Sequence, residues 1–593
     1  MLKQQLLTDL KKAIKDSGFQ VTDIVCDISK NSRFGDYSTN IALQLAKQKS
    51  VDSKQSSIEI ASKIIDSLGG LNYLSKAEVA GGGFINFFIN PQVLVDSLDK
   101  ICNLTETNFQ QILTDRKKIM VEFTDPNPFK EFHIGHLFSN TIGESLSRLL
   151  EYSGAEVKRA NYFGDVGMHV AKSVWGMIFK LEEQNLSLAA LEQKPLDGRI
   201  QFLADAYVAG SKAFDQETET QEQIKKINLL IYIAAKAYLP KDQSQIDPAK
   251  LEQVERLFKK GKEWSLEYFE AIYEKLGTKF DYYYPESIVS EYGLEFVEKH
   301  LKEGVFERSD GAVIFPGEKY GLHRRVFINS LGLPTYEAKE LGLAVKKYQD
   351  YAYDRSIVVT GNEIKEYFQV LITALSKLRS DLASKTTHIP HGMVRMTQGK
   401  ISSRKGNVLT FEWLFTQVQE KIAGLMKDSD LSSEEKQKVI DIVSIGAIKF
   451  SMLKSSPHMD VTFDLEKSVS LQGDSGPYLQ YTHARAKSVL KNASYSYKKT
   501  AINSNLQEEE RQLLMKIDSF EDIAYDAAQN LHPSAVAAYL IDFAKLFNLF
   551  YQKYPIIKAE EKSREFRLAL TWAVVSVLKL GLYLLGIKAP EKM

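Results

Sequence analysis

Cysteine is nearly missing from this sequence: Cys26 and Cys102 are the only two in 593 residues. They are too few and too far apart to build a disulfide framework or a thiolate metal site, and a thiol-poor chain fits a reducing compartment. An excess of charge is missing as well, with 76 Lys and Arg against 76 Asp and Glu. A protein that coats nucleic acid without specificity needs a global basic field, so that class is excluded. A specific RNA contact through local patches is not. There is no low-complexity tract and only 15 prolines, so the composition is ordinarily globular. No apolar run approaches about 18 residues, so no membrane span is expected. The opening MLKQQLLTDLKKAIKDSGF reads as an amphipathic helix and not as a signal peptide, which makes a cytoplasmic protein the expectation. A single core rarely grows beyond about 250–300 residues, so several domains are expected.

What is present falls into blocks. Over residues 1–110, Leu2, Leu6, Leu7 and Leu10 give one helix face, IEIASKIIDSL another, and AEVAGGGFINFFIN a glycine-punctuated strand pair. Together these predict a small α+β domain. From 111 to 411 the rhythm becomes strand, loop, helix, strand: KIMVEF, then NTIGESLSRLLEYSG stopped by Gly154, then EVKRANYF. Such a βαβ unit predicts a parallel sheet with right-handed crossovers. DRSIVVTG and HIPHGMVRM read as its later strands, and a charge-rich helical insertion interrupts it over about 185–275. From 412 to 593 the apolar residues recur at helical spacing, which predicts an all-α bundle. The expected fold is multidomain α/β. A Rossmann-like parallel-sheet domain with a helical insertion follows an N-terminal α+β domain and precedes a C-terminal helical one.

The stretch IMVEFTDPNPFKEFHIGH, residues 119–136, puts two imidazoles three apart around a glycine, just after a buried strand. In an open α/β sheet, ligands bind beyond the carboxyl ends of the strands, where a helix N-terminus offers free N–H groups. His133 and His136 fall in that turn. Gly135 removes a side chain where a base or phosphate needs close backbone approach. Three readings of the pair stay open: a nucleotide-phosphate grip, a helix cap, or part of a metal site. The last needs Glu122 or Asp125 to fold back. A second stretch, MTQGKISSRKGNVL at 396–409, gathers Lys400, Arg404 and Lys405 with Gly399, Ser402, Ser403 and Gly406. Its cations would meet charge developing on a phosphate chain. A solvated basic turn is the plainer alternative.

HIGH after an apolar strand and a proline resembles the first signature of class I aminoacyl-tRNA synthetases, and residues 399–406 resemble the second. Ser403 stands where that loop normally has its second lysine, and the resulting GxxSxRxG pattern is similar to that of arginyl-tRNA synthetases. EFTDPNPFKEFHIGH, NYFGDVGMH and GLPTYEAKELGLA resemble stretches of the same family. FGDYSTNIALQLAK and GGGFINFFI resemble its additional N-terminal domain, and GPYLQYTHARAKSVL and GLYLLGIKAPEKM its helical anticodon-binding domain.

The resemblance covers essentially the whole chain. It implies a ligase that activates L-arginine with ATP and transfers it to tRNA(Arg), with Mg²⁺ accompanying ATP and held by phosphates and water. It also implies arginine activation that depends on bound tRNA. No membrane partner is expected, nor a protein-held metal, and a monomer is. His133, His136 and Lys130 are implied as ATP contacts, with Gly135, Gly399, Lys400, Ser402, Ser403, Arg404 and Lys405 completing the ATP and catalytic set. Around arginine it implies Glu122, Asn127, Asp165, Tyr336, Glu340 (where Asp is usual) and Glu363 (where Gln is frequent). Phe84 and Asn86 are implied at the tRNA corner, and Tyr481, Arg485, Tyr551 and Met593 at the anticodon. A guanidinium cannot shed its proton and is best read by carboxylates, which suits these acids. A ligase for another cationic amino acid such as lysine, or a tRNA-binding homologue without catalysis, are the alternative expectations.

Overall fold

The apolar run of the first βαβ unit becomes strand β1 (Lys118–Glu122), whose Ile119, Met120 and Val121 are all buried. Parallel strands covered by helices on both faces read as such continuous runs. In chain order the main elements then run as helix α1 (Ile134–Tyr152), strand β2 (Glu156–Phe163), and helices α2 (Met168–Glu183), α3 (Leu196–Gln216), α4 (Thr218–Ala234) and α5 (Pro248–Leu276). Strand β3 (Tyr282–Pro285), helices α6 (Glu286–Leu301) and α7 (Tyr336–Asp350), strand β4 (Arg355–Gly361), helix α8 (Lys365–Leu378) and strand β5 (Thr386–His391) complete them. The five strands pair in the order β5-β4-β1-β2-β3, all parallel. Strand order reverses between β1 and β4, and at such a switch point a crevice opens beyond the carboxyl ends.

The structure, a computed structural model, describes residues 2–21, 23–29, 32–47, 56–103, 116–239, 246–397, 409–499 and 506–593. These form two compact units, one of residues 112–420 with 451–465, the other of 1–111, 421–450 and 466–593. The first unit holds the parallel sheet. It also holds a three-stranded antiparallel sheet (Glu307–Ser309, Ala312–Phe315, Arg325–Ile328), whose Phe315 and Phe327 share a core with Ala338 and Leu341 of α7 and Phe368 of α8. The expected strand HIPHGMVRM divides here. β5 ends at His391, and Val394–Met396 pairs with Val461–Phe463 instead. Gly392 lies at the break, where a Cβ would sit 2.2 Å from the Met459 carbonyl oxygen.

In the second unit, Leu74–Ala80 and Phe84–Ile89 pair antiparallel as the glycine-punctuated pattern predicts, within a four-stranded sheet. Helices Ser433–Leu453, Gly476–Asn492, Glu508–Gln529, Pro533–Lys553 and Glu561–Leu584 supply the helical part. Both ends of the chain meet in this unit. The Arg511 guanidinium grips the Asp36 carboxylate through Nε at 2.7 Å and Nη2 at 2.5 Å, and Lys100 pairs with Glu521 at 2.5 Å. Helix Glu561–Leu584 is, by length and composition, apolar enough to cross a membrane, although 78% of its apolar window is buried within the fold.

Candidate active site

The two imidazoles hold each other. His133 is the N-cap of α1, and its Nδ1 accepts hydrogen bonds from the backbone N–H of Gly135 at 3.1 Å and of His136 at 3.2 Å. In return the His133 N–H donates to His136 Nδ1 at 3.3 Å. This is a reciprocal capping box made from two histidines. A ring nitrogen that accepts carries no proton, so each neutral ring bears its proton on Nε2, on the edge away from the cap. The rings stack with centroids 3.5 Å apart. A Cβ at residue 135 would sit 3.0 Å from the His133 ring, so glycine leaves that ring its place. Burial, then the Lys130 charge, pushes His133 down to about 4. Burial, then His133, holds His136 well below its ordinary value. Neutral N–H donors at the positive end of a helix make a cradle for an anion.

A cavity of about 580 Å³ opens at the carboxyl ends of β1 and β4. Its lining includes the N-cap His133, then Gly135, His136 and Ser139 of α1, with Gly361 and His391. Its acids are Asp125 after β1, Glu286 at the start of α6, Glu337 and Glu340 on α7, and Glu363, with Tyr162, Tyr336 and Tyr367 among them. Glu286 is matched by Lys339 at 2.6 Å. Asp125 and Glu340 have no ion pair among the described residues, and burial followed by the charge of Glu122 pushes both well above the usual carboxylate range. The lining thus holds two carboxyls that lack a cation.

The residues expected from sequence are distributed unevenly. Asn127, His133, Gly135, His136, Tyr336, Glu340 and Glu363 come together around the cavity, and Gly164 makes room for Asn127, whose Oδ1 lies 2.6 Å from where a Cβ would be. Glu122 does not line it, which corrects the expectation of direct substrate contact. Its carboxylate is buried against Lys347 Nζ at 2.5 Å. Asp165 is likewise corrected. It is fully buried and accepts from the Ser287 N–H at 2.8 Å, the Ser287 hydroxyl at 2.6 Å and Lys262 at 2.6 Å, so it anchors the start of α6 that carries Glu286. Lys130 is also absent from the wall, its ammonium lying over the Tyr207 ring. The loop residues Gly399, Lys400, Ser402, Ser403, Arg404 and Lys405 lie outside the described residues.

Sequence reasoning missed Asp125, Glu286 and His391 as wall residues. Glu286 carried a usable signal, since PES follows an apolar strand and opens a helix just as the histidine turn does.

In the other unit, Arg485 gathers two of the residues expected at the anticodon. Its guanidinium lies 4.6 Å from the Tyr481 ring centroid and 5.7 Å from that of Tyr551, and it donates to Asn548 Oδ1 at 2.8 Å. Tyr551 is 40% exposed and Phe84 43%, so both present ring surface. Met593 is half-buried in the same unit. Asn86 is only 3% exposed, inside a strand paired on both sides, and is not open to the base contact expected of it.

A parallel sheet with a histidine capping box at its switch point agrees with the class I tRNA synthetase signature read in the sequence. Residues 100–465 match the model of the class I (R) tRNA synthetase catalytic domain, 2–89 that of the arginyl tRNA synthetase N-terminal domain, and 479–593 that of the DALR anticodon-binding domain. The chain is 30% identical to an arginine–tRNA ligase of Halothermothrix orenii over a 599-residue alignment covering 100% of this chain and 99% of that one. It is 31% identical to one of Flavobacterium psychrophilum over 86% of this chain and 85% of that one. In fold it resembles the Thermus thermophilus arginyl-tRNA synthetase, with a TM-score of 0.78, 23% identity and 100% of both chains covered. The chain belongs to the arginyl-tRNA synthetase family.

Proposed function

We propose that this protein is an arginine–tRNA ligase that joins L-arginine to ATP as arginyl-adenylate, releasing pyrophosphate, and then passes the arginyl group to the 3'-terminal ribose of tRNA(Arg). The observation that supports it best is one cavity lined both by the imidazoles of a helix-capping pair and by carboxyls without an ion pair among the described residues. ATP enters as its Mg²⁺ complex, the ion held by phosphates and water. Among the described residues no group of three His, Cys, Asp or Glu side chains is disposed to hold a metal.

Each step follows from charge. The guanidinium goes to Glu340 beside Tyr336, an acceptor set matched to a planar donor fork. Asn127 and Asp125 lie at the carboxyl end of β1, next to the histidine turn, and orient the amino-acid head. The arginine carboxylate then attacks the α-phosphorus, a new O–P bond forms, and the bond to the bridging oxygen breaks. No enzyme nucleophile takes part. The His133 and His136 Nε2–H groups, with the cations of 399–406, stabilise the charge that builds on the phosphate oxygens. Tyr481, Arg485 and Tyr551 stack on unpaired anticodon bases. We place the enzyme in the cytoplasm as a monomer, in keeping with its thiol-poor composition and its family.

Charging of total tRNA with each of the twenty amino acids tests the reading. Arginine alone should be esterified, in a reaction that consumes ATP. Charging with lysine instead, or ATP left unconsumed with every amino acid, would overturn it.

A further inference from the structure

Lys130 stands three residues before His133 on the same turn, and its ammonium lies 4.6 Å from the centroid of the Tyr207 ring. Tyr207 belongs to α3, in the helical insertion that sequence reasoning left without a role. Its position is rigidly set. A Cβ at Gly176 of α2 would lie 1.9 Å from the Ala206 carbonyl oxygen, and one at Gly210 of α3 would lie 2.0 Å from the Lys172 carbonyl oxygen. The two helices therefore touch backbone to backbone on either side of Tyr207. α2 starts at Met168, five residues past the end of β2, so a stiff path runs from the sheet to this phenol.

The kind of support matters. Among the described residues Lys130 is in no ion pair. A carboxylate partner would cancel its charge, whereas the face of an aromatic ring orients a cation and leaves the charge available. That charge reaches the histidines, because after burial it is among the causes that hold both His133 and His136 below their ordinary values. Burial alone would push the Tyr207 phenol up, but the Lys130 charge, hydrogen bonds with Lys130 and Ser211, and the Lys172 charge together hold it low.

We propose that Tyr207 is a positioning residue for adenylate formation: it holds the uncompensated Lys130 ammonium beside the histidine pair, ready for the polyphosphate of ATP. The proposal rests on reading Lys130 as a phosphate contact, and the test separates the two.

ATP–pyrophosphate exchange is measured on the full chain with tRNA present, for Lys130→Ala, Tyr207→Leu, Tyr207→Phe and the Lys130→Ala/Tyr207→Leu double variant. Lys130→Ala should lower kcat/KM for ATP by ~10²-fold, the scale of a lost transition-state partner. Tyr207→Leu should lower it by roughly tenfold with the arginine KM unchanged, and Tyr207→Phe, which keeps the ring, by less than about threefold. In the Lys130→Ala background, Tyr207→Leu should cost nothing further, because the group it positions is gone. An additive loss in the double variant, or a loss that falls on the arginine KM, would overturn the proposal and leave the Lys130 reading standing. Wild-type ATP kinetics in Lys130→Ala would remove that reading and the proposal with it. If Tyr207→Leu does not fold, a tenfold loss in a well-folded Tyr207→Phe would equally sink the idea.

Discussion

Glu340 and Glu122 show how much a carboxylate's meaning depends on its neighbour. Both are acids near one crevice, but Glu122 has Lys347 at 2.5 Å, and Glu340 has no such partner among the described residues. Glu340 is pushed well above the usual carboxylate range, first by burial and then by Glu122, so it favours its protonated form more than a free carboxyl does. A cation binds the ionised form, and the sign follows. The carboxyl is protonated below its raised pKa and charged above it, so the arginine KM should fall as pH rises. Calorimetry in buffers of different ionisation enthalpy should show protons released on arginine binding. Glu340→Gln should abolish that release and raise the arginine KM, with the KM for ATP nearly unchanged. Equal proton release by the variant would place the titrating group elsewhere.

The two acids could not be told apart in the sequence. The partner of Glu122 lies 225 residues further on, and the β-strand alternation that assigns faces ends at residue 122. Thr124 and Asp125 then take φ values of 84° and 48°, which turn the following residues out of the strand period.

At the level of elements, the histidine turn was legible because strand, proline turn and helix onset each leave a local pattern. What sequence alone left open was whether His133 is a cap or a phosphate ligand. The geometry makes it a cap on Nδ1 and leaves Nε2 for a ligand, so the roles sit on different atoms. They should separate on mutation. Asn is a good N-cap, so His133→Asn should melt within a degree or two of wild type, whereas His133→Ala should lose about 0.5–2 kcal/mol of stability. Both should lose ~10²–10³ in the exchange rate, since both lack the outward N–H. Retained activity in a well-folded His133→Asn would reduce the residue to a cap. The elements expected to meet tRNA were less legible. Helical spacing predicted the bundle but could not say that Tyr481, Arg485 and Tyr551 would stack, because two different helices supply them. Asn86 failed for a related reason: whether a strand residue is covered depends on partners far along the chain, here Ser38 and Glu78.

Across the whole molecule, the block order in the sequence suggested three successive bodies, while one compact unit gathers the first and last stretches of the chain. Arg511 and Asp36 are the polar centre of that union. The Asp36 carboxylate is 4% exposed and also accepts from the Ile89 N–H at 2.6 Å. Arg511→Ala would leave a buried charge without its partner, a change that typically costs about 3–5 kcal/mol. Hydrogen exchange should show protection lost over residues 32–47 and 84–103 in the variant, with the parallel sheet around β1 and β4 unchanged. Uniform loss throughout the chain would mean that the two units unfold as one.

The same union bears on how the protein is made. Asp36 leaves the ribosome 475 residues ahead of Arg511, which at roughly 5–20 residues per second is a delay of about 20–100 seconds. Through that interval the nascent N-terminal sheet exposes the surface that helix Glu508–Gln529 will cover, along with a carboxylate whose counter-ion has yet to be translated. This earlier segment is therefore among the last to reach its final stability, and a chaperone bound to the emerging chain would have most to protect there.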